Sequence, residues 1–179
     1  MKTIHCLILA CVFVYSASAE VVGQLSFAVP KEPGWGIRMQ DRMPGNVEIK
    51  AWSNGPNTTG ITLISLPLPP DSKSLEEYVP KWRTGFEKKA EKVDGGGIKE
   101  INGKRFGFSK IVATIAGKRC ALKQYCVIAE GKVYMLGVSS AEKDPEQDVV
   151  FRDFEKFIEF KESANHTPEP TAPSGRGSS

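Results

Sequence analysis

Histidine is almost absent from this chain: His5 and His166 are the only two among its 179 residues. A Ser–His–Asp triad and a Cys–His pair each use an imidazole as base, and an H-E-x-x-H zinc site uses two. His5 and His166 both lie outside residues 20–162, the stretch that we expect to fold. The sequence therefore predicts no catalytic residue, no cofactor and no metal ligand there, although paired carboxylates remain an open route to hydrolysis.

Cysteine is also scarce, and only Cys120 and Cys126 fall within residues 20–162. Alternation places both on one face of a strand over 119–129, about 20 Å apart, whereas a disulfide tolerates a Cα separation of about 7 Å. We interpret them as two small apolar residues packed against a helix. A disulfide that breaks the strand, an intermolecular bond and a reactive thiol are the alternatives, so the redox state stays open.

Long apolar runs are missing apart from one near the N-terminus. Lys2, the apolar residues 4–15 and an Ala17-Ser18-Ala19 cleavage site are typical of a secretory signal peptide over 1–19, cut after Ala19. Since a bilayer span needs about 20 apolar residues, we expect no transmembrane anchor. These features predict a secreted or periplasmic protein.

The C-terminal residues 163–179 are rich in Pro, Ser, Gly and Thr, so a disordered tail is predicted there. Residues 20–162 between the two ends then form a single domain with one core. The sequons at Asn57 and Asn165 matter only in a eukaryotic source, and their use is left open. Oligomeric state is left open as well.

Alternating and helical spacing follow one another along residues 20–162. Strands are predicted over 24–29, 35–39, 46–53 and 60–66, the last apolar on both faces, and then a helix with Ser74 and Glu77 as a capping box. Pro80 lies beyond the first turn of that helix and would kink or restart it. The helix is expected to end at the glycine run 95–97. Four strands of an antiparallel meander follow over 98–101, 105–115, 119–129 and 132–139, and a closing helix begins at Asp144 and Pro145. The fold class is α+β, with a central antiparallel sheet of about six to seven strands and helices packed on it as an α/β/α sandwich.

Two features point to a partner rather than to a substrate. The basic pairs Lys104-Arg105 and Lys118-Arg119 occupy two turns of the meander and could meet an acidic protein, or keep a sheet edge soluble. Trp52 is either half-buried under a helix or an exposed anchor for a partner. Nucleic acid is excluded because removing Lys2 lowers the formal charge from +3 to only +2 and no basic-aromatic interleaving is present.

Several turns and strand ends together resemble the PsbP-like superfamily, which includes the photosystem II extrinsic subunit and the periplasmic protein DcrB. The segments that carry the resemblance are FAVPKEPGWGI, PLPPDS leading into SLEEYVPKW, INGKRFGF, EGKVYMLGV and FRDFEKFIEF, within residues 24–161. The resemblance implies an α/β/α sandwich and a non-enzymatic binding or assembly role, and it assigns no functional residue.

The hypothesis from sequence is thus an exported, non-enzymatic module that binds another extracytoplasmic protein, one of acidic character, through its sheet edge and turns. The alternative is a small-ligand carrier, or a carboxylate-based hydrolase, with a pocket between helix and sheet.

Overall fold

A computed structural model describes residues 19–22, 25–28, 30, 34–55 and 59–160. The predicted signal segment apart from Ala19, the predicted tail and the sequon asparagines Asn57 and Asn165 lie outside the described residues. The elements are β1 (Ala19–Val22), β2 (Leu25–Ala28), β3 (Gly36–Met43), β4 (Val47–Ser53), β5 (Thr59–Pro67), α1 (Leu75–Glu87), β6 (Lys92–Ile101), β7 (Lys104–Ile115), β8 (Lys118–Ala129), β9 (Lys132–Ser140), α2 (Val149–Arg152) and β10 (Ile158–Phe160).

The main sheet has seven strands in the order β3-β4-β5-β9-β8-β7-β6, and every neighbouring pair is antiparallel. This confirms the predicted α+β fold and the expected number of strands. A smaller sheet, β1-β2-β10, was not anticipated. In this sheet β2 is the central strand and pairs with β1 on one side and with β10 on the other.

Two-residue turns join the four strands of the meander, as predicted from NGK, AGK and EGK. Asn102-Gly103, Ala116-Gly117 and Glu130-Gly131 each have positive φ at both positions. This left-handed backbone matches the right-handed twist of the flanking strands, and glycine adopts it without steric cost. The turns therefore fix the register of β6 to β9.

Helix α1 begins as the capping box predicts. The Ser74 hydroxyl accepts a hydrogen bond from the Glu77 N–H at 3.3 Å, and the Glu77 carboxylate accepts one from the Lys73 N–H at 2.7 Å. Pro80 does not restart the helix, which is continuous from Leu75 to Glu87. The expected extension toward Val93 is wrong, because the chain turns after Glu87 and Val93 already belongs to β6.

The glycine run 95–97 does not end a helix, contrary to the prediction; it lies inside β6. At Gly96 the run allows a side chain from α1 to approach the strand closely. A Cβ added to Gly96 would lie 2.4 Å from Nε of Arg83, so a larger residue there would displace the arginine side chain. A register shift between Val93 and Gly95 accommodates the run.

The prediction of a single closing helix is also wrong in detail. Residues 145–147 and 154–157 are 3₁₀ turns, and only Val149–Arg152 is α-helical. Asp148 rather than Asp144 caps α2, since its carboxylate accepts a hydrogen bond from the Phe151 N–H at 3.0 Å. The chain then straightens because β10 pairs with β2 and its Ile158 carbonyl accepts a bond from the Asn102 amide at 2.7 Å.

Buried side chains lie on both faces of the main sheet. On one face, Cys126 and Val133 form a cluster with Tyr78 and Val79 of α1. On the other face, a larger cluster unites sheet residues with residues from the 145–157 segment, among them Phe151 and Phe154. Burial on both sides of the strands explains the doubly apolar pattern of β5, whose residues alternate between buried and half-buried.

Candidate functional site

The two basic pairs predicted from sequence are not brought together. Lys104-Arg105 opens β7, and Lys118-Arg119 follows the turn at its other end. Because β7 has twelve residues, the two pairs lie roughly 35 Å apart at the usual strand rise. They cannot form one compact anionic-partner site.

Both arginines are also engaged within the chain. The Arg105 guanidinium lies 2.6 Å from the Glu76 carboxylate, and that of Arg119 lies 3.1 Å from the Glu91 carboxylate. Hydrogen bonds from Thr114 and Arg119 lower the pKa of Glu91. Solvent screens exposed ion pairs strongly, so a partner could displace them, but they reduce the positive field at both turns.

A small pocket of about 210 Å³ lies between the main sheet and the start of the 145–157 segment. Its charges balance, since its acidic lining residues are equal in number to its basic ones. The residues that line it are Asp94, Lys110, Val112, Arg119, Cys120, Ala121, Glu142, Lys143, Pro145, Glu146 and Phe151.

Glu146 is held in this pocket by two lysines. Nζ of Lys110 lies 2.8 Å from one carboxylate oxygen, and Nζ of Lys123 lies 3.6 Å from the other. Lys123 is buried and donates to the carbonyls of Phe151 and Arg152 at 2.8 and 3.3 Å, so it fixes the end of α2 to β8. The hydrogen bond from Lys110 lowers the pKa of Glu146. An ionised, paired carboxylate of this kind is unsuited to donating a proton.

Glu146→Gln is expected to weaken the fold mainly above pH 5. Because the folded-state pKa is lowered, the stabilisation is complete above the unfolded pKa of about 4.3 and is lost as pH falls through the folded pKa. The expected loss of unfolding free energy at pH 7 is less than about 1 kcal/mol, given partial exposure, and it should vanish near pH 2. Urea unfolding across pH measures it. Glu142→Gln, in the same pocket, is the matched control and should change the free energy of unfolding at pH 7 by less than about 0.5 kcal/mol.

Both cysteines among the described residues are free thiols, and the predicted packing against a helix is confirmed for Cys126 but not for Cys120. Cys126 is fully buried in the α1 cluster, as expected, and burial raises its pKa to about 12. Cys120 is only half-buried, and burial raises its pKa too.

Thiol labelling should separate the two cysteines. At pH 8 a thiol of pKa about 12 is ionised to about one part in ten thousand, so Cys126 should react with Ellman's reagent only after unfolding. In protein that begins at Glu20, and therefore lacks Cys6 and Cys11, Cys120 should react slowly in the native state, and Cys120→Ser should abolish that native signal. Rapid native labelling in the Cys120→Ser variant would contradict the buried position of Cys126.

Trp52 is not an exposed anchor. Its side chain is 3% exposed and belongs to the buried cluster that contains Ile61, Val138 and Phe151. The register explains this, because Trp52 pairs with Ile61 and therefore points to the face covered by residues 145–157. The buried interpretation holds, and the indole is not available to a partner.

Among the described residues, three of the six exposed large apolar side chains lie on β3, a strand at one edge of the main sheet, and the other three, Val93, Ile115 and Val149, lie on β6, β7 and α2. Ile37, Met39 and Met43 are 51%, 44% and 46% exposed. Met39 and Met43 pair with Ala51 and Val47, so they lie on the same face as α1. That helix packs on β6, β7 and β8, at the opposite end of the strand order from β3, so it does not cover the two methionines.

We call Gly36–Met43, with the half-buried Val47, Ile49 and Ile64 beside it, the β3 edge. Sequence reasoning predicted a strand over 35–39 but not that it was an edge. The available signal was the polar and charged run between Met39 and Met43, because charged side chains are common on edge strands.

The overall arrangement is similar to that of solved structures. Cyanobacterial PsbP from Synechocystis sp. PCC 6803 superposes with a TM-score of 0.55 at 10% identity, covering 84% of this chain and 95% of that one. The chain has a PsbP-like fold. This confirms the resemblance inferred from the turn and strand-end residues.

Two further solved structures are similar to this chain. A protein of unknown function from Pseudomonas aeruginosa gives a TM-score of 0.50 at 11% identity, covering 82% of this chain and 99% of that one. A protein from Bacteroides thetaiotaomicron gives 0.50 at 10% identity, covering 78% of this chain and 46% of that one. No family model and no curated protein sequence matches the chain.

At such identities the PsbP-like fold carries no functional residue from one protein to another. In the part of the chain that the structure describes, no helix combines the length and the apolar character that a bilayer span requires.

Proposed function

We propose that this PsbP-like chain is an exported, non-enzymatic protein-binding or assembly module that docks onto another protein through the β3 edge. The observation that carries the proposal is that three large apolar side chains, Ile37, Met39 and Met43, are exposed on one edge strand. Single exposed apolar residues are ordinary, but three on one short edge strand favour an interaction surface.

The pocket gives less support to the alternative of a carrier or hydrolase. Ligand pockets usually measure about 300–1,000 Å³ and are lined mostly by apolar side chains. This pocket is smaller, at about 210 Å³. A neighbouring open hollow of about 620 Å³ is lined only by polar and charged residues, Glu142, Lys143, Asp144, Gln147 and Asp148. Glu146, its acid beside Lys110 and Lys123, is ion-paired rather than poised to transfer a proton. Both points favour docking over turnover.

The layer arrangement belongs to the same proposal. α1 covers one face of the main sheet, and residues 145–157 contribute to the core on the other. This supports an α/β/α sandwich in which the second layer is built from short turns rather than from a long helix. Export rests on residues 1–19, and Edman sequencing of the extracytoplasmic protein should begin at Glu20.

Affinity capture from an extracytoplasmic fraction tests the docking role. The variant Met39→Glu/Met43→Glu should lose the captured protein at least tenfold, because it places charge in an apolar contact, while its melting temperature stays unchanged. The comparison variant reverses the charges of Lys104, Arg105, Lys118 and Arg119 and should retain capture. Loss in the comparison variant with retention in the methionine variant would place the binding at the basic turns and refute the β3 edge.

A further inference from the structure

Among the three turns that join β6 to β9, the β7–β8 turn differs from the others in what it exposes. This turn, Ala116-Gly117, follows Ile115, whose side chain is 46% exposed. The residue before the β6–β7 turn, Ile101, is only 6% exposed, and the residue before the β8–β9 turn, Ala129, is small and half-buried. The β7–β8 turn therefore presents to solvent a large aliphatic side chain that its two counterparts do not.

The end of α1 lies at the same end of the main sheet as this turn. After the helix, the Glu91 N–H donates a hydrogen bond at 2.8 Å to the carbonyl of Val112, which comes shortly before Ile115 on β7. Lys88 and Lys89, in the connection between α1 and β6, are both exposed. Two lysines and an exposed isoleucine are thus brought to one end of the molecule, whereas the β6–β7 and β8–β9 turns lie at the other.

Strand register places the apolar side chains of this end on the α1 face. Ile115 lies on the same face of β7 as Gly107 and Ser109, because side chains alternate along a strand. Ser109 donates to the carboxylate of Glu87, the last residue of α1, so later positions on this face lie beyond the helix. The apolar residues that share the face there are Val93, Ile111, Ala113, Ile115 and Leu122. Val93 is as exposed as Ile115.

Among the described residues, the acidic side chains at this end are bound within the chain or belong to the opposite face. The Glu91 carboxylate lies 3.1 Å from the Arg119 guanidinium, and that of Asp94 lies 2.5 Å from the Lys92 ammonium. Asp94 and Arg119 line the pocket on the opposite face. The acids between 142 and 148 lie in the segment that leads into that layer. No acid therefore interrupts the apolar residues of the α1 face.

The lysines beside these apolar residues make the surface positive. Glu87, the acid next to them along the chain, is bound by Nε of Arg83 at 2.6 Å. Lys118, after the turn, is exposed but has an interaction within the chain, so the positive charge is attributed to Lys88 and Lys89. We call Lys88, Lys89, Val93 and residues 115–117 the turn surface.

We propose that the turn surface attaches the protein to an anionic lipid bilayer. Attachment at an interface needs apolar groups that enter the headgroup boundary and cations that contact anionic lipids. Ile115 and Val93 supply the first, and the two lysines supply the second. Protein interfaces are depleted in lysine and enriched in aromatic residues and arginine, so lysines beside aliphatic residues at a projecting turn favour a headgroup layer over an acidic protein.

This role is separate from docking at the β3 edge, because β9, β5 and β4 lie between that strand and the β7–β8 hairpin. The variant Met39→Glu/Met43→Glu should therefore bind vesicles as the unmodified protein does. The two roles can fail independently of each other.

Co-sedimentation with vesicles tests the attachment, using protein that begins at Glu20. Vesicles of phosphatidylcholine are compared with vesicles in which roughly one-third of the lipid is phosphatidylglycerol. The protein should bind the anionic vesicles at least about tenfold more tightly. Raising NaCl from about 0.05 to about 0.5 M should weaken that binding, because salt screens exposed charges.

Charge-reversal variants locate the contact. Lys88→Glu/Lys89→Glu should weaken binding to the anionic vesicles at least about twentyfold. Lys104→Glu/Arg105→Glu makes the same change in net charge at the opposite end of β7 and should leave binding within about threefold, because solvent-exposed charges beyond a Debye length are screened. Ile115→Ser should weaken binding about fivefold or more through the loss of buried apolar area. All three variants should melt as the unmodified protein does.

A fluorescent dye reports whether Ile115 enters the bilayer. In a Cys120→Ser background, where Cys126 is buried, Ile115→Cys carries an NBD label whose emission should shift to the blue when anionic vesicles are added. The same label on Lys132→Cys, at the opposite end of the strands, should not shift.

Equal binding to the two kinds of vesicle would overturn the proposal, as would equal losses in the two charge-reversal variants or an unshifted dye at position 115. If vesicles are not bound but an acidic protein is captured through Lys88 and Lys89, the turn surface contacts a protein and attachment to lipid is wrong.

Discussion

Replacing Trp52 with alanine is expected to lower the free energy of unfolding by about 3–5 kcal/mol, the range for large aromatic side chains removed from cores. The side chain is 3% exposed and belongs to the main buried cluster. Its removal leaves a cavity between β4 and the 145–157 segment that the surrounding strands cannot close. Urea unfolding should show a lower midpoint with an unchanged slope.

Met43→Ala is the matched control for this experiment. Met43 belongs to β3, which pairs with β4, but is 46% exposed, so the change should cost less than about 0.5 kcal/mol. If Trp52→Ala instead left stability within that range and removed partner capture, the indole would be a binding anchor and its buried position would be incorrect.

Gly107→Ala is expected to destabilise the fold by about 2 kcal/mol, as overpacking of a core does. Gly107 lies on β7 beneath α1, and an added Cβ would meet Val79 Cγ2 at 2.4 Å and Cys126 Sγ at 2.5 Å. Valine is stiff at χ1 and Cys126 is fully buried, so neither atom can move aside without shifting α1. Thermal unfolding measures the loss.

Two further variants make the test specific. Gly85→Ala changes a glycine within α1 that has no atom near its would-be Cβ, and it should stabilise by up to about 1 kcal/mol. Gly107→Ala combined with Val79→Ala should cost less than the sum of the single changes, because the smaller side chain makes room. Full additivity would show that the two residues are not in contact.

The meander and the start of α1 could be predicted because short-range chemistry decides them. Asn102-Gly103 adopts the left-handed turn whatever the rest of the chain does, and Ser74 reaches the Glu77 N–H within one helical turn. The alternation of apolar residues then sets which face of each strand is buried. Each of these features needs residues only a few positions apart.

The errors arose where distant contacts override local preference. The glycine run 95–97 is a helix stop by propensity, but it lies in β6 because pairing with β7 and the passage of Arg83 over Gly96 decide its conformation. The closing segment has helical spacing, but Asp148 caps a single α-turn there and β2 draws residues 158–160 into a strand. Sequence could not anticipate partners that lie far away along the chain.

The candidate site shows the same division. The sequence showed two basic pairs that are close along the chain, but the twelve-residue strand β7 separates them in space. It left two positions open for Trp52, half-buried or exposed, and only the pairing of Trp52 with Ile61 shows which face of the sheet the side chain occupies. No sequence pattern singled out Met39 and Met43. They are exposed because their strand lies at the edge of the sheet, and strand order cannot be read from the sequence.

Local composition and spacing by themselves determined that the chain makes an antiparallel α+β sheet, that Cys120 and Cys126 lie too far apart on one strand to bridge each other, and that residues 20–162 lack an imidazole. Only the tertiary structure decided which strand is left at the edge, which charges are paired and which aromatic residues are buried. The physical reason is that turns, helix caps and the alternation of apolar residues depend on residues only a few positions apart. Exposure and ion pairing depend instead on which strands are neighbours in the folded sheet.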